Sequence, residues 1–451
     1  MALTNARSLS LKVKLSYGVG DLAANLVFNT INFFLIYFLT DVVFISAALA
    51  GIAMMVVRIW DAAVDPAVGY LSDRTTSRFG RRRPWILFGA VPLGIFFFLL
   101  FTKITLESQT LLFIYIAFVY AAFFTSYSVV NIPYSALTPE LTQDFNERTT
   151  LTGYRMTAAL FGTLIAAGAT KPLIGLFANE RMGFSVVALI YSIIVVLINL
   201  VVFFNVKEKK EFLKRDTAPI LESYRSAIKN RPFIIAAVSY FLNFVALIII
   251  SSTLIYYLKY YMKNENAVST IFLALLLTAA AMLPVWVLIS RKIGKKLAYC
   301  LGMGILAVVL VFIFFLKPDQ IVLMYLLIVG AGIGLSTNYV LPWAIVPDTI
   351  EYDELYTGKR REGLFYGLWN LGTKLASAAA IMVVGVVMSL TGYVANVPQS
   401  SNALLGIRVL ISFVPVAIII VGIIVLSFYP ITKKRYEEIL KELEIRRGQA
   451  S

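Results

Sequence analysis

Along the 451-residue chain, apolar residues gather into twelve runs, each close to the roughly 20 residues a helix needs to cross a hydrocarbon core. Six lie near 17–40, 46–70, 84–104, 110–137, 150–176 and 184–205. After a polar break, six more lie near 232–261, 267–289, 297–316, 320–346, 364–391 and 403–428. The pattern predicts an all-α membrane protein made of two six-helix bundles, 1–205 and 232–428. The intervening 206–231 mixes both charges and reads as a cytoplasmic linker, with Ile220–Ile228 as a surface-lying amphipathic stretch. In the tail, 429–451, Tyr436, Ile439, Leu440 and Leu443 recur at helical spacing. A short cytoplasmic helix packed on the bundle or the membrane surface is expected there.

Composition removes the soluble alternatives. Only 14% of residues are charged and 59% are hydrophobic, against about 25% charged in an ordinary soluble domain. The net charge of +15 does not point to nucleic acid, because the basic residues form short clusters between apolar runs. Arg74, Arg78 and Arg81–Arg83 follow the second run, Lys207 to Arg231 the sixth, Arg291 to Lys296 the eighth, and Lys433–Arg435 the last. The alternate loops hold only scattered cations such as Lys103, Arg181, Lys263 and Lys317. By the positive-inside rule both termini face the cytoplasm, in a multi-pass protein of the cytoplasmic (inner) membrane. The basic, polar first fifteen residues do not resemble a cleavable signal peptide. No histidine is present, and the single Cys300 can form no internal disulfide. No Walker loop, nucleophile–base pair or metal-ligand set is visible, so neither an enzyme nor a cofactor is expected.

The two halves echo each other. Gly69-Tyr-Leu-Ser-Asp73-Arg74 and Gly80-Arg81-Arg82-Arg83 follow the second run, and Arg291-Lys292-Ile293-Gly294-Lys295-Lys296 stands in the equivalent place of the second half. Ile132-Pro133-Tyr134 with Pro139-Glu140 is matched by Leu341-Pro342-Trp343 with Pro347-Asp348. The Gly69 to Arg82 segment resembles the loop signature of the major facilitator superfamily, which implies two pseudo-symmetric bundles around a midplane site.

The chemistry concentrates on the second run. Arg58, Asp61 and Asp65 fall on one helical stripe and sum to one negative charge inside the membrane. Buried carboxylates either coordinate a metal ion through oxygen or take up a proton. Asp61 and Asp65 are therefore the candidate ligands if the coupling ion is Na+. Helix 1 offers Asp21, Asn25, Asn29 and Asn32, and helix 4 offers Ser126, Tyr127, Ser128 and Asn131. Such donors and acceptors suit a polyhydroxylated ligand. Arg155 and Lys374 are deep cations that need partners: the helix 2 carboxylates, Asp21, or an anionic group on the substrate. Tyr120, Tyr127, Trp343, Tyr366 and Trp369 are candidates for stacking on a sugar ring. An acidic run from Asp348 through Glu351 to Glu354, then Lys359 to Glu362, reads as a loop and inner gate. Glu140, Asp144, Glu147 and Arg148 are its counterpart. The expected gating set is Arg58, Asp73, Arg74, Glu140, Arg148, Asp348, Glu351 and Arg361.

At Lys14-Leu-Ser-Tyr-Gly18, Arg58-Ile-Trp-Asp-Ala-Ala-Val-Asp-Pro66, Asn131-Ile-Pro-Tyr134 and Lys374, the chain resembles the glycoside–pentoside–hexuronide:cation symporter family over nearly its whole length. The resemblance implies that Asp61 and Asp65 bind the coupling cation beside the Ser128 hydroxyl. It also implies that Asn25, Asn131, Arg155 and Lys374 border the sugar site, which Asp21, Tyr127 and Trp343 are expected to join. Asn25 and Asn131 stand where melibiose-carrying members have aspartates, Val64 stands for an asparagine, and Asp21 is an added acid. The expected function is symport of a sugar or glycoside, hexuronides and other acidic sugars included, into the cell with Na+ or H+ by alternating access. The alternatives are a lysophospholipid:cation symporter of the same fold and a passive facilitator. The expected partners are a sugar-like small molecule, a monovalent cation and the lipid bilayer, with the protein working as a monomer.

Overall fold

The computed structural model describes residues 9–102, 104, 108–142, 145–208, 229–358 and 362–449. Among the described residues the chain is helical almost throughout and holds no strand. Helix α1 covers Leu11–Thr30 and continues through two π-helical turns, Ile31–Leu35 and Phe38–Val42. Then come α2 (Ala47–Arg74), α3 (Arg83–Leu100), α4 (Gln109–Ala136), α5 (Phe145–Ile174) and α6 (Glu180–Asn205). A single helical turn, Thr138–Leu141, bridges α4 and α5. Helix α7 is Arg231–Tyr256, extended by a π turn at Tyr257–Tyr261. It is followed by α8 (Val268–Ile293), α9 (Lys295–Phe315), α10 (Ile321–Thr357) and α11 (Glu362–Leu390). Helix α12 runs Ser401–Ile411 and, past a break at Ser412, Phe413–Ser427; α13 (Lys433–Gln449) closes the chain.

Among the described residues, eleven helices are long and apolar enough to cross a membrane. Helix α1, expected as a span, is not among them: it reaches Val42 through its π turns, and its apolar run is diluted by Asn25, Asn29 and Asn32. The chain divides into two compact units, 1–215 and 216–451, holding α1–α6 and α7–α13. Polar caps start several helices: Ser46 accepts from the Leu49 N–H at 3.3 Å, and Asn230 from the Phe233 N–H at 3.0 Å. Such a side chain satisfies one of the N–H groups that a helix start leaves without an internal partner.

The internal repeat is visible in backbone detail that no residue pattern announces. The first helix of each unit ends in a π turn, Phe38–Val42 and Tyr257–Tyr261. In both, an N–H five residues on closes the turn, from Val43 to Phe38 and from Met262 to Tyr257. In both, a non-glycine residue then takes positive φ, Phe44 at 67° and Lys263 at 53°.

One expectation about element ends changes. The acidic run from Asp348 to Glu354 is not a loop but the last turns of α10. Pro342 and Pro347 lie inside that helix, as Pro66 lies inside α2 and Pro133 inside α4. Proline is tolerated in membrane helices because neighbouring groups re-satisfy the freed carbonyls, so Pro347 did not mark the end. The expected amphipathic stretch at 220–228 lies outside the described residues. The tail forms α13, with Ile439 and Leu443 buried on a helix that packs against α10.

Candidate functional site

In the first unit, α2 and α4 pack side by side and bring Ser128 to the acidic pair. Its Oγ lies 3.1 Å from Asp61 Oδ1 and 2.6 Å from Asp65 Oδ1. Asp61 is buried, and Asp65, one turn on, is half-buried. Arg58 is 1% exposed. Its guanidinium donates to Asn32 Oδ1 at 2.9 Å and sits over the rings of Phe124 and Phe28, at 4.2 and 5.1 Å. Desolvated cation–π contacts of this kind are worth about 2 kcal/mol or more, which lets a permanent charge remain inside the bundle. The cation candidates Asp61, Asp65 and Ser128 are thus brought together. Arg58, expected as a gating residue, is buried beside Asn32, Phe28 and Phe124.

A serine hydroxyl carries one proton. Placed between two carboxylate oxygens, it donates to one of them. The other O···O approach is attractive only if that carboxyl carries a proton or a cation lies between the oxygens.

A second polar cluster joins α1, α4 and α5. Arg155 donates from Nε to Asp21 Oδ2 at 2.5 Å and from Nη2 to Asp21 Oδ1 at 3.2 Å. Its Nη1 reaches Thr138 Oγ1 at 3.1 Å. The Tyr134 hydroxyl lies 2.7 Å from Asp21 Oδ2 and 2.5 Å from the Tyr17 carbonyl, sharing its one proton. Tyr17 and Tyr134 also flank the guanidinium, at 5.5 and 5.1 Å. Gly20 makes this possible, since a Cβ there would collide with the Tyr134 ring.

Tyr127 ties the two clusters together. It is half-buried on α4, its ring lies 6.1 Å from Phe28, and its phenol is within electrostatic reach of Asp21, Asp61, Asp65 and Arg58. Asn131 faces a small internal cavity with Gly20, Ala24, Tyr127, Tyr134 and Asn199. Asn25 donates back to the Asp21 carbonyl at 2.9 Å. Asn29 instead bonds Thr163 on α5 at 3.0 Å, an interhelical tie.

In the second unit the aromatic candidates separate. Trp369 is fully buried and stacks on Tyr240 at 4.4 Å; Tyr120, in the first unit, is fully buried as well. Trp343 is 43% exposed and nearly parallel to Tyr366 at 6.4 Å, so it keeps a free face. Lys374 is half-buried on α11. Among the gating candidates, Asp348 pairs with Lys295 at 2.6 and 2.7 Å, and Lys295 sits 5.1 Å from the Tyr436 ring of α13. Glu351 is half-buried and Arg74 exposed over Tyr70 at 4.0 Å. Between α12 and α13, burial holds the Tyr429 hydroxyl well above its usual range, so it stays protonated near Asp348. The side chains of Asp73, Glu140 and Arg148, and all of Arg361, lie outside what the structure describes.

Four residues had no sequence signal as partners: Tyr134, Thr138, Lys295 and Glu208. Glu208 accepts from the N–H groups of Arg81, Arg82 and Arg83 at 2.7, 2.7 and 2.9 Å and so caps α3. It stands more than a hundred residues from the helix it caps.

Comparison with known proteins adds to this geometry. A family model described as MFS/sugar transport protein matches residues 16–433. The glucuronide carrier protein homolog of Escherichia coli is 30% identical, over 98% of this chain and 97% of the relative. The isoprimeverose transporter of Lactiplantibacillus pentosus is 31% identical, over 97% and 92%. The sodium-dependent lysophosphatidylcholine symporter 1-A of Danio rerio is 26% identical, over 97% and 89%.

Proposed function

The chain belongs to the MFS/sugar transport protein family, a family of multi-pass membrane transporters and not of enzymes, and we propose that it moves a sugar or glycoside with a monovalent cation by alternating access. The observation that carries this reading is the single Ser128 hydroxyl set 3.1 and 2.6 Å from the carboxylates of Asp61 and Asp65. A passive facilitator has no use for such a pair, because two acids at membrane depth are costly unless a mobile charge visits them. Asp61, Asp65 and Ser128 take Na+ or H+. In the first unit Asn25, Tyr127, Asn131 and Arg155 are assigned to the cargo, and in the second unit Trp343 and Lys374. Asp348 with Lys295 belongs to a gate on the side that bears the basic loops, and the positive-inside pattern assigns that side, and both termini, to the cytoplasm of a cell's inner membrane.

Coupling requires that each ligand favour the other's bound state by typically 1–3 kcal/mol. Binding of the cation removes the surplus negative charge on α2, and Tyr127, within reach of both clusters, passes the change to the cargo site. A potential of ~100 mV and a tenfold cation gradient together supply about 3.7 kcal/mol per monovalent ion, enough for roughly 500-fold accumulation of a neutral solute at one-to-one coupling. The relatives named for a glucuronide, for isoprimeverose and for lysophosphatidylcholine leave the cargo open. A sugar is favoured over a lysophospholipid because Arg155, the first unit's cation in the cargo site, is already taken by Asp21 and so is poorly placed for a phosphate headgroup.

The test is uptake into proteoliposomes over a panel of glycosides, pentosides and hexuronides, with lysophosphatidylcholine as competitor and with sodium and proton gradients imposed separately. Accumulation above the external concentration, driven by one of the two gradients, is expected. Equilibration without accumulation under both would establish a facilitator instead.

A further inference from the structure

We propose, resting on the sugar-symport reading, that Asp21 is a positioning residue that sets the charge of the cargo: by holding Arg155 it selects an uncharged sugar over its uronic acid. The two side chains are 9% and 16% exposed and meet through two N–H groups on two carboxylate oxygens. A guanidinium held this way has spent its Nε/Nη2 fork and has its charge balanced by the carboxylate. Of its five N–H groups, the Nε and one on Nη2 go to Asp21 and one on Nη1 goes to Thr138. The remaining two can bond a hydroxyl. An incoming carboxylate would meet a guanidinium whose charge Asp21 already balances, with the charge of Asp21 beside it.

The charge count of the neighbourhood agrees. Arg58 and Arg155 stand against Asp21, Asp61 and Asp65, which leaves one negative charge. A bound monovalent cation cancels it, so this first-unit cluster, once loaded, offers no net charge for an acidic cargo to pair with. Without Asp21 the same loaded cluster would carry one positive charge that a carboxylate could pair with. Asp21 is held in place for this role from three helices, by Tyr134 on α4, by Arg155 on α5, and by the Gly20 position on its own helix, where only a missing Cβ admits the Tyr134 ring. This selectivity arises from an internal competitor for the cation and not from a lack of one.

The probes are matched pairs that differ only at C6, methyl glucoside with methyl glucuronide and methyl galactoside with methyl galacturonide, plus xyloside. Half-saturation constants for cation-driven uptake are measured in proteoliposomes. The wild-type protein should favour the neutral member of the pair it accepts by about tenfold or more, and Asp21→Asn should shift that ratio about tenfold toward the acid. Asp21→Glu, which keeps the charge, should retain the wild-type ratio. Arg155→Gln leaves Asp21 in surplus and should move the ratio the opposite way, which tests the same assignment should Asp21→Asn not reach the membrane. A purely structural Asp21 would lower uptake of both members equally and leave the ratio fixed. An unchanged ratio in Asp21→Asn and Arg155→Gln, or a wild-type preference for the acid, overturns the assignment while the sugar-symport reading stands. If the wild-type protein concentrates no sugar of the panel, that reading fails and this one with it.

Discussion

Ser128 has one proton to give and two carboxylates to give it to, at 3.1 and 2.6 Å. Ser128→Ala removes both the hydroxyl donor and one oxygen ligand, so the cation concentration needed for half-maximal uptake should rise about tenfold, or ~1.4 kcal/mol. Ser128→Thr should keep it within a small factor. Equal cation dependence in Ser128→Ala and the parent would remove the hydroxyl from the site. The acids themselves were legible in the sequence as a candidate pair, because Asp61 and Asp65 stand one helical turn apart beside Arg58 in an apolar run. Ser128 came from family resemblance, since nothing in its neighbours says which of several helix 4 hydroxyls faces α2. Asp21 was a candidate partner for Arg155 and proves to be its partner, but Tyr134 and Thr138 were missed: a hydroxyl that closes a network across 113 residues has no local signature. Tyr120 and Trp369 show the converse, since aromatic type alone cannot distinguish a stacking platform from a ring packed in the core.

Helix α1 makes its most extensive contact with α5, and the seam is stitched at intervals by Lys14–Glu147, Asp21–Arg155 and Asn29–Thr163. In lipid there is little hydrophobic drive between helices, so close approach and interhelical hydrogen bonds carry the association. At Gly162 a Cβ would strike the backbone of Leu22. Gly20→Val, which pushes the Tyr134 ring away from Asp21, should cost about 1–3 kcal/mol by overpacking. Thermal unfolding of the purified protein in detergent should show a lowered midpoint, together with weaker substrate binding. An unshifted midpoint would mean the ring has another place to go. Helix number was legible because twenty apolar residues have no other use. Helix ends were not: α10 runs on through two prolines to Thr357, and the π turns of α1 and α7 come from backbone hydrogen bonding that residue type barely constrains.

At the scale of the molecule, the sequence repeat and the backbone repeat agree that each unit is a version of one six-helix plan. Basic loops at equivalent places and prolines at equivalent positions inside α4 and α10 made that readable. The identity of the cargo was not, because it depends on a few side chains whose partners lie on other helices. In the proposed cycle, the energy of transport rests on the α2 acids being neutralised by something that moves with the solute. The most direct measurement is accumulation of the transported sugar in proteoliposomes by the double variant Asp61→Asn/Asp65→Asn, under an imposed cation gradient and inside-negative potential. The account predicts that internal solute will not exceed the external concentration, while exchange of labelled for unlabelled solute persists at a reduced rate. Uphill accumulation equal to that of the parent protein would contradict it.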